Sequence, residues 1–180
     1  MAELDIVDEE DKIVGKAPFE EVHSKGLRHR SVQVFVFKTN SLDDLLIAER
    51  SPKQEVSKLK LHPSAAGHVK LGQRYLEAAL DELKEELFFD VKKLPNGISA
   101  NNVLCIAKYQ NNSRPTNKEN TCLFYCIYLG PFSIDKQEIG RIYWEDRNKI
   151  WADMNKNPYK YTFTFVNAMK EFKKFKGELI

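Results

Sequence analysis

Asp81, Glu82, Glu85 and Glu86 crowd into one short segment, with only Lys84 between them to offset the charge. On a helix, Glu82, Glu85 and Glu86 stand at i, i+3 and i+4, so their side chains gather on one face. Like charges at these spacings cost roughly 0.2–0.5 kcal/mol per pair. Acids toward a helix C-terminus also oppose the macrodipole. Local helix stability therefore does not account for them. A bound Mg²⁺ or Mn²⁺ would, because hard cations take carboxylate oxygens and fill the remaining positions with water and phosphate. The helix that must carry them is predicted over Arg74–Leu87, where Leu76, Ala79, Leu80, Leu83 and Leu87 recur at spacings of three and four and form an apolar stripe. Gly67 opens the loop before it. Taken alone, the same acids would also suit a solvated face; the sequence around them argues otherwise.

With that loop and helix, the segment from Gly67 to Phe89 resembles the Nudix box, G-x5-E-x7-R-E-U-x-E-E-x-G-U, where U is a bulky aliphatic residue. Gly67 takes the first position, Glu82, Leu83, Glu85 and Glu86 the central ones, and Phe89 the last apolar place. Three positions depart: Gln73 stands for the first glutamate, Asp81 for the arginine and Phe88 for the late glycine. The resemblance implies that Glu82, Glu85 and Glu86 hold a metal that bridges a diphosphate. It also implies that Asp81 and Gln73 weaken the support of that metal, and that Phe88 replaces a residue suited to positive φ at a helix end.

The likeness continues outside the box. Leu4–Gly15, Glu21–Arg30 and Val32–Phe37 are similar to the Nudix subgroup that includes isopentenyl-diphosphate isomerase, and coverage runs over 3–150. In that isomerase a cysteine precedes the glycine-histidine pair, where Ala66 stands here. Its second catalytic acid aligns with Asn120, or with Glu119 if the alignment shifts by one. Proton transfer at carbon needs both an acid and a base, so the hydrolase branch is the expected one. His23, His29 and His68 fall at the isomerase's histidine ligands and, with Glu119, form a possible second metal site. Arg50 and Lys53 fall where the subgroup contacts diphosphate; with Gly67 they are the expected substrate-binding residues, Arg50 foremost because its planar fork suits phosphate. Glu138, in Ile134–Trp144, is the candidate base or additional metal ligand of the hydrolases, sharing the catalytic role with Glu82.

Composition sets the frame. A chain of 180 residues with 42% hydrophobic and 11% aromatic content suits a single domain over 1–180 with a sizeable core. A net charge of +2 gives no global field to attract nucleic acid polymers or membranes. Cys105, Cys122 and Cys126 form no CxxC pair and read as reduced thiols, which suits the cytoplasm. No run approaches the roughly 20 apolar residues that span a bilayer.

The elements read as an α/β sandwich, in keeping with the Nudix fold of a mixed β-sheet between α-helices. Short strands are predicted at Ile6–Val7 and Lys12–Lys16, with a helix opening at Pro18 and Phe19–His23. Ser31–Lys38 is a central strand with Val32, Val34 and Val36 on one face and Gln33, Phe35 and Phe37 on the other. Leu45–Glu49 pairs with it as a hairpin. Val103–Tyr109 and Cys122–Leu129 are strands flanking a polar segment, Gln110–Asn120, expected to be a mobile loop. Trp144–Met154 and Thr162–Phe175 are closing helices, the latter with Phe163, Phe165, Met169, Phe172 and Phe175 as its apolar face. The expected protein is thus a Mg²⁺- or Mn²⁺-dependent hydrolase of a small-molecule diphosphate such as a nucleoside diphosphate derivative, with a homodimer as the commonest closed assembly open to it. An isopentenyl-diphosphate isomerase-like enzyme and a non-catalytic diphosphate-binding module are the alternatives.

Overall fold

The computed structural model describes residues 3–179. Its centre is β3 (His29–Phe37), an almost wholly buried strand. The alternation of side chains assigns its two faces to two cores. Val32, Val34 and Val36 pack with Ala78, Ala79, Leu83 and Leu87 on one side, while Phe35 and Phe37 pack with Ile150, Phe165, Met169 and Phe172 on the other. Helix α2 (Tyr75–Glu82) therefore covers one face. Helices α3 (Arg147–Lys156) and α4 (Phe163–Phe175) cover the opposite one.

The nine-stranded sheet is mixed. The strand β8 (Asn117–Ile127) runs parallel to β3 from His29↔Glu119 to Phe37↔Ile127, and β7 (Leu104–Arg114) pairs antiparallel with β8. On the other side, β4 (Asp44–Arg50) meets β3 only at Phe37↔Leu45 and pairs along its length with β9 (Ile139–Asp146). The expected hairpin is thus splayed open. Into the gap goes a folded segment, with β5 (Leu61–His62) bonded to β4 and β6 (Ala65–His68) bonded to β3 from Ser31↔His68 to Val34↔Ala65. Ser64 pins this wedge: its Oγ donates to Leu46 O at 2.6 Å and accepts from Val36 N at 2.8 Å. At the far edge, β1 (Glu3–Val7) and β2 (Ile13–Pro18) form a ribbon under α1 (Phe19–Lys25).

Three expectations are corrected. The polar stretch 110–120 is not a loop, because β7 and β8 continue through it to a turn at Pro115–Thr116. Its polar side chains are consumed by one another: Asn111 and Glu119 are both buried and bonded at 3.1 Å. The helix expected over Arg74–Leu87 is not uniformly α. It widens into a π turn at Leu83–Leu87, the kind of local bulge that recurs at functional sites. In α4, the buried stripe is Phe165, Ala168, Met169 and Phe172, whereas Phe163 and Phe175 at the two ends are about half exposed.

Candidate functional site

The π turn sorts the clustered acids. Glu86 turns inward and is buried, Glu82 is half-buried, and Glu85 remains exposed. Glu86 Oε1 accepts from Ala66 N at 3.1 Å, while its Oε2 is buried without a partner. Glu82 lies directly over Gly67 of β6. A Cβ on residue 67 would run into the Glu82 carboxylate, so any larger residue there must push that carboxylate aside. Burial first, then Glu85 and Glu138, raises the Glu82 carboxyl to about 8. Burial and the neighbouring Glu82 push Glu86 well above the usual carboxylate range.

The backbone explains how Glu138 reaches the same place. The carbonyls ending the π turn, Glu86 O and Leu87 O, accept from Asp135 N at 3.0 Å and Ser133 N at 2.9 Å. This docks the segment before β9 onto the turn, and Glu138 acts electrostatically on both Glu82 and Glu86. Arg50, at the end of β4, also acts on Glu86 and Glu138. Its guanidinium is held by Gln54 Oε1 at 2.6 Å and Val56 O at 3.1 Å. Lys53 is not brought in. It is exposed on the loop, and its side chain makes no ion pair or hydrogen bond among the described residues. The cation at the acids is instead Lys70, whose Nζ meets Glu85 at 3.1 Å. His62, for which the sequence suggested no role, is buried within electrostatic reach of Arg50, with Nε2 unpartnered.

The departing box positions have a local explanation. Gln73 Nε2 donates to Asp81 Oδ2 at 2.8 Å, so the two replaced residues bond each other. Phe88 has φ −133° and is buried against Tyr128 and Phe132, so this position needs no left-handed conformation.

A second cluster lies on the other side of β6. Gly67 faces α2, so its neighbour His68 points the opposite way. There it meets His29 of β3 and His23 of α1, with ring centroids 4.9–5.0 Å apart. Phe19 packs against His23 and His68 at 4.3 and 5.1 Å. The possible ligand atoms of the three histidines lie within 4.8 Å of one another. Glu119 Oε1 stands 3.8 Å from His29 Nε2 and 3.7 Å from His68 Nε2. Thus Glu119, not Asn120, faces the histidines; Asn120 alternates away and bonds Arg28 and Asp8 O.

Tautomers follow from the partners. Leu27 O and Phe19 O can only accept, so Nδ1 of His29 (2.9 Å) and of His23 (3.0 Å) carries the hydrogen. Their Nε2 atoms then hold free lone pairs. Nε2 of His29 and of His68 is buried without a partner. Burial holds the His29 imidazolium down at about 4 and lowers His68 as well, with the neighbouring histidines adding to the effect. Neutral imidazoles are the form that binds metal. Glu119 is itself held by Ser31 Oγ, Asn111 Nδ2 and Asn117 Nδ2 at 3.1–3.2 Å, and Asn111 Oδ1 accepts from Asn167 of α4 at 2.9 Å. Sequence reading missed this polar shell. Its signal was the alternation His29, Ser31, Gln33 opposite Asn117, Glu119, Thr121, a polar stripe on one face of two buried strands.

A curled mixed sheet with an acid-bearing helix docked over a glycine strand is the arrangement of the Nudix fold, and comparison with known proteins agrees. No family model matches the chain. Among solved structures, DR0079 from Deinococcus radiodurans superposes with a TM-score of 0.75 at 19% identity, covering 93% of this chain and 97% of the other. An uncharacterised Nudix hydrolase of Yersinia pestis is 27% identical over 154 residues, 83% of this chain and 75% of that protein. The isopentenyl-diphosphate Delta-isomerase of Serratia proteamaculans is 26% identical over 172 residues, 93% of this chain and 89% of the isomerase. The chain has the Nudix fold and is similar in sequence both to Nudix hydrolases and to the isomerase.

Proposed function

We propose that this protein is a divalent-cation-dependent hydrolase of an organic diphosphate, with nucleoside diphosphate derivatives as the substrate class. The observation that carries this reading is the buried, unpartnered Glu86 Oε2 beside Glu82 and Glu138. Three carboxyls converging here, one buried and one half-buried, with only Arg50 and Lys70 as cations acting on them among the described residues, fit a hard metal ion. Glu82, Glu85 and Glu86 are the residues to hold Mg²⁺ or Mn²⁺. When bound, such a cation offsets diphosphate charge and lowers the pKa of coordinated water.

The chain's own groups then divide the work. Arg50, fixed by Gln54 and Val56 O, orients a phosphate through its remaining N–H donors. Glu138 or Glu82 accepts the proton of the attacking water as its oxygen bonds to phosphorus and the bridging P–O bond breaks. The departing phosphate carries away the electron pair. Phosphate and nucleoside monophosphate release from a panel of nucleoside diphosphates, nucleoside triphosphates, dinucleotides, nucleotide sugars and isoprenoid diphosphates is the test, with Mg²⁺, Mn²⁺ or chelator. Cation-dependent release that chelator abolishes is expected. No release from any substrate would remove the reading.

The histidine cluster favours a second reading, an isomerase-like enzyme, since an acid does stand beside the metal-ligand histidines. Ala66 offers no proton on the other side, which is why hydrolysis is preferred. Conversion of isopentenyl to dimethylallyl diphosphate in the same panel would reverse that preference. In either case His23, His29, His68 and Glu119 form a donor set suited to Zn²⁺ or another first-row ion. Asn111→Ala is expected to weaken Zn²⁺ binding by about 10–100-fold, the usual cost of losing an outer-shell partner. Calorimetric Zn²⁺ titration checks this, and unchanged affinity would show that Glu119 needs no such clamp.

A further inference from the structure

A cavity of about 700 Å³ opens on the α3 side of the sheet, and neither the acids of the π turn nor the histidines line it. Its size falls in the range of small-molecule sites. Ile47, Leu61 and Ile150 form an apolar floor, and Tyr143, Tyr159 and Tyr161 supply aromatic walls. Tyr161 is fixed by its Oη, which donates to Asp153 Oδ2 at 2.8 Å. Tyr143 carries the Arg141 guanidinium 5.3 Å above its ring.

The charges of the lining do not cancel. Each of its acids already has a cation within the same cavity: Glu49 pairs with Arg141 at 2.6 Å, Glu145 with Lys149 at 3.8 Å and Asp153 with Lys160 at 3.2 Å. Lys58 and Lys60 remain, with no carboxylate partner among the described residues. Two spare cations beside flat aromatic walls select a planar ring that carries an anion.

We propose that this cavity is a second, non-catalytic nucleotide site, with a nucleobase against the tyrosines and its phosphate on Lys58 and Lys60. The site is also wired to the acids. Residues 51–60 form one loop, closed where Arg50 N donates to Lys60 O at 2.9 Å and Leu59 N donates to Arg50 O at 3.2 Å. Arg50 also donates to Val56 O inside this loop. An occupant held by Lys58 and Lys60 therefore rests on the loop that sets Arg50, making it an effector of the diphosphate site.

The probe is AMP, which has no diphosphate to hydrolyse, titrated calorimetrically in chelator. Wild-type protein and Glu86→Gln are expected to bind it equally. Lys58→Ala/Lys60→Ala and Tyr159→Ala are expected to bind at least tenfold more weakly; Lys58 and Tyr159 are exposed, so the fold is preserved. No heat with AMP, GMP, CMP or UMP, affinity untouched by the cavity substitutions, or affinity lost in Glu86→Gln would each overturn the proposal. The Glu86→Gln arm keeps this outcome separate from the fate of the hydrolase reading.

Discussion

Glu86→Gln is expected to reduce metal-dependent diphosphate turnover by roughly a thousandfold while raising the thermal stability of the metal-free protein at pH 8. The kinetic half follows from the metal's share of the barrier, several kcal/mol at about 1.4 kcal/mol per decade. The stability half follows from burial. Glu86 has one oxygen bonded to Ala66 N and one with no partner, beside a second carboxyl that repels its charge. Glutamine keeps an oxygen for Ala66 N–H and removes the charge. Relief of on the order of 1–3 kcal/mol corresponds to a few degrees in Tm at about 2–4 °C per kcal/mol. Steady-state kinetics and thermal melts on one preparation test both halves. A variant that keeps full turnover would remove Glu86 from the metal site, and one that melts lower in chelator would show the carboxylate to be structural.

The second large effect is a pH-dependent exchange of proton for metal. Glu82 titrates at about 8 in the folded chain against 4.5 when unperturbed. Between those values the folded state holds a proton that the unfolded state has released. Its contribution is therefore complete below pH 4.5 and is lost as pH rises through 8. Buried histidines act in the opposite sense: with His29 depressed from 6.5 to about 4, its contribution grows over that interval and is complete above 6.5. The clean window is pH 6.5–8 in Cys105→Ser protein, because the Cys105 thiol, lowered to about 7, otherwise acts in the opposite sense above pH 7. Metal-free stability should fall there by up to about 2 kcal/mol from Glu82 alone. Mg²⁺ takes the place of the proton, so its stabilising effect should grow over the same window, with proton release on binding at pH 7 to which both Glu82 and Glu86 contribute. Melts from pH 6 to 9 with and without Mg²⁺, and titrations in buffers of different ionisation enthalpy, measure both. A flat metal-free profile would mean that Glu82 is not held protonated.

How much of this was legible depended on whether a feature is local. The acids at 82, 85 and 86, the apolar stripe of α2 and the two-faced β3 are periodic patterns within one segment, and they were read from it. The π turn was not, because five residues of π geometry carry no periodic mark of their own. Residues 110–120 were misread for a different reason. Asn, Ser and Pro there mimic a loop, yet Asn111, Asn117 and Glu119 satisfy one another only once β7 and β8 are paired. The choice between Glu119 and Asn120 was likewise a matter of strand parity, settled by the register His29↔Glu119. Lys70 was visible as a charge, but its partner Glu85 lies across the loop. Lys53 was placed by resemblance, which fixes a residue's place in the chain and not the direction of a flexible side chain, and its exposed side chain makes no contact with the acids.

The strand β6 carries Gly67 and His68 as neighbours, one lying under Glu82 and the other completing the histidine cluster. Two adjacent residues thus serve two different pieces of chemistry solely because a strand alternates. Substitution can tune either piece by itself. Insertion or deletion of one residue cannot, since a single slip inverts every side chain of the strand, thrusting an imidazole against the acids and leaving a bare backbone among the histidines. Length is therefore the constrained quantity in this stretch. In descendants of this chain, the segment between Ser64 and Val69 is expected to vary in letters but not in number.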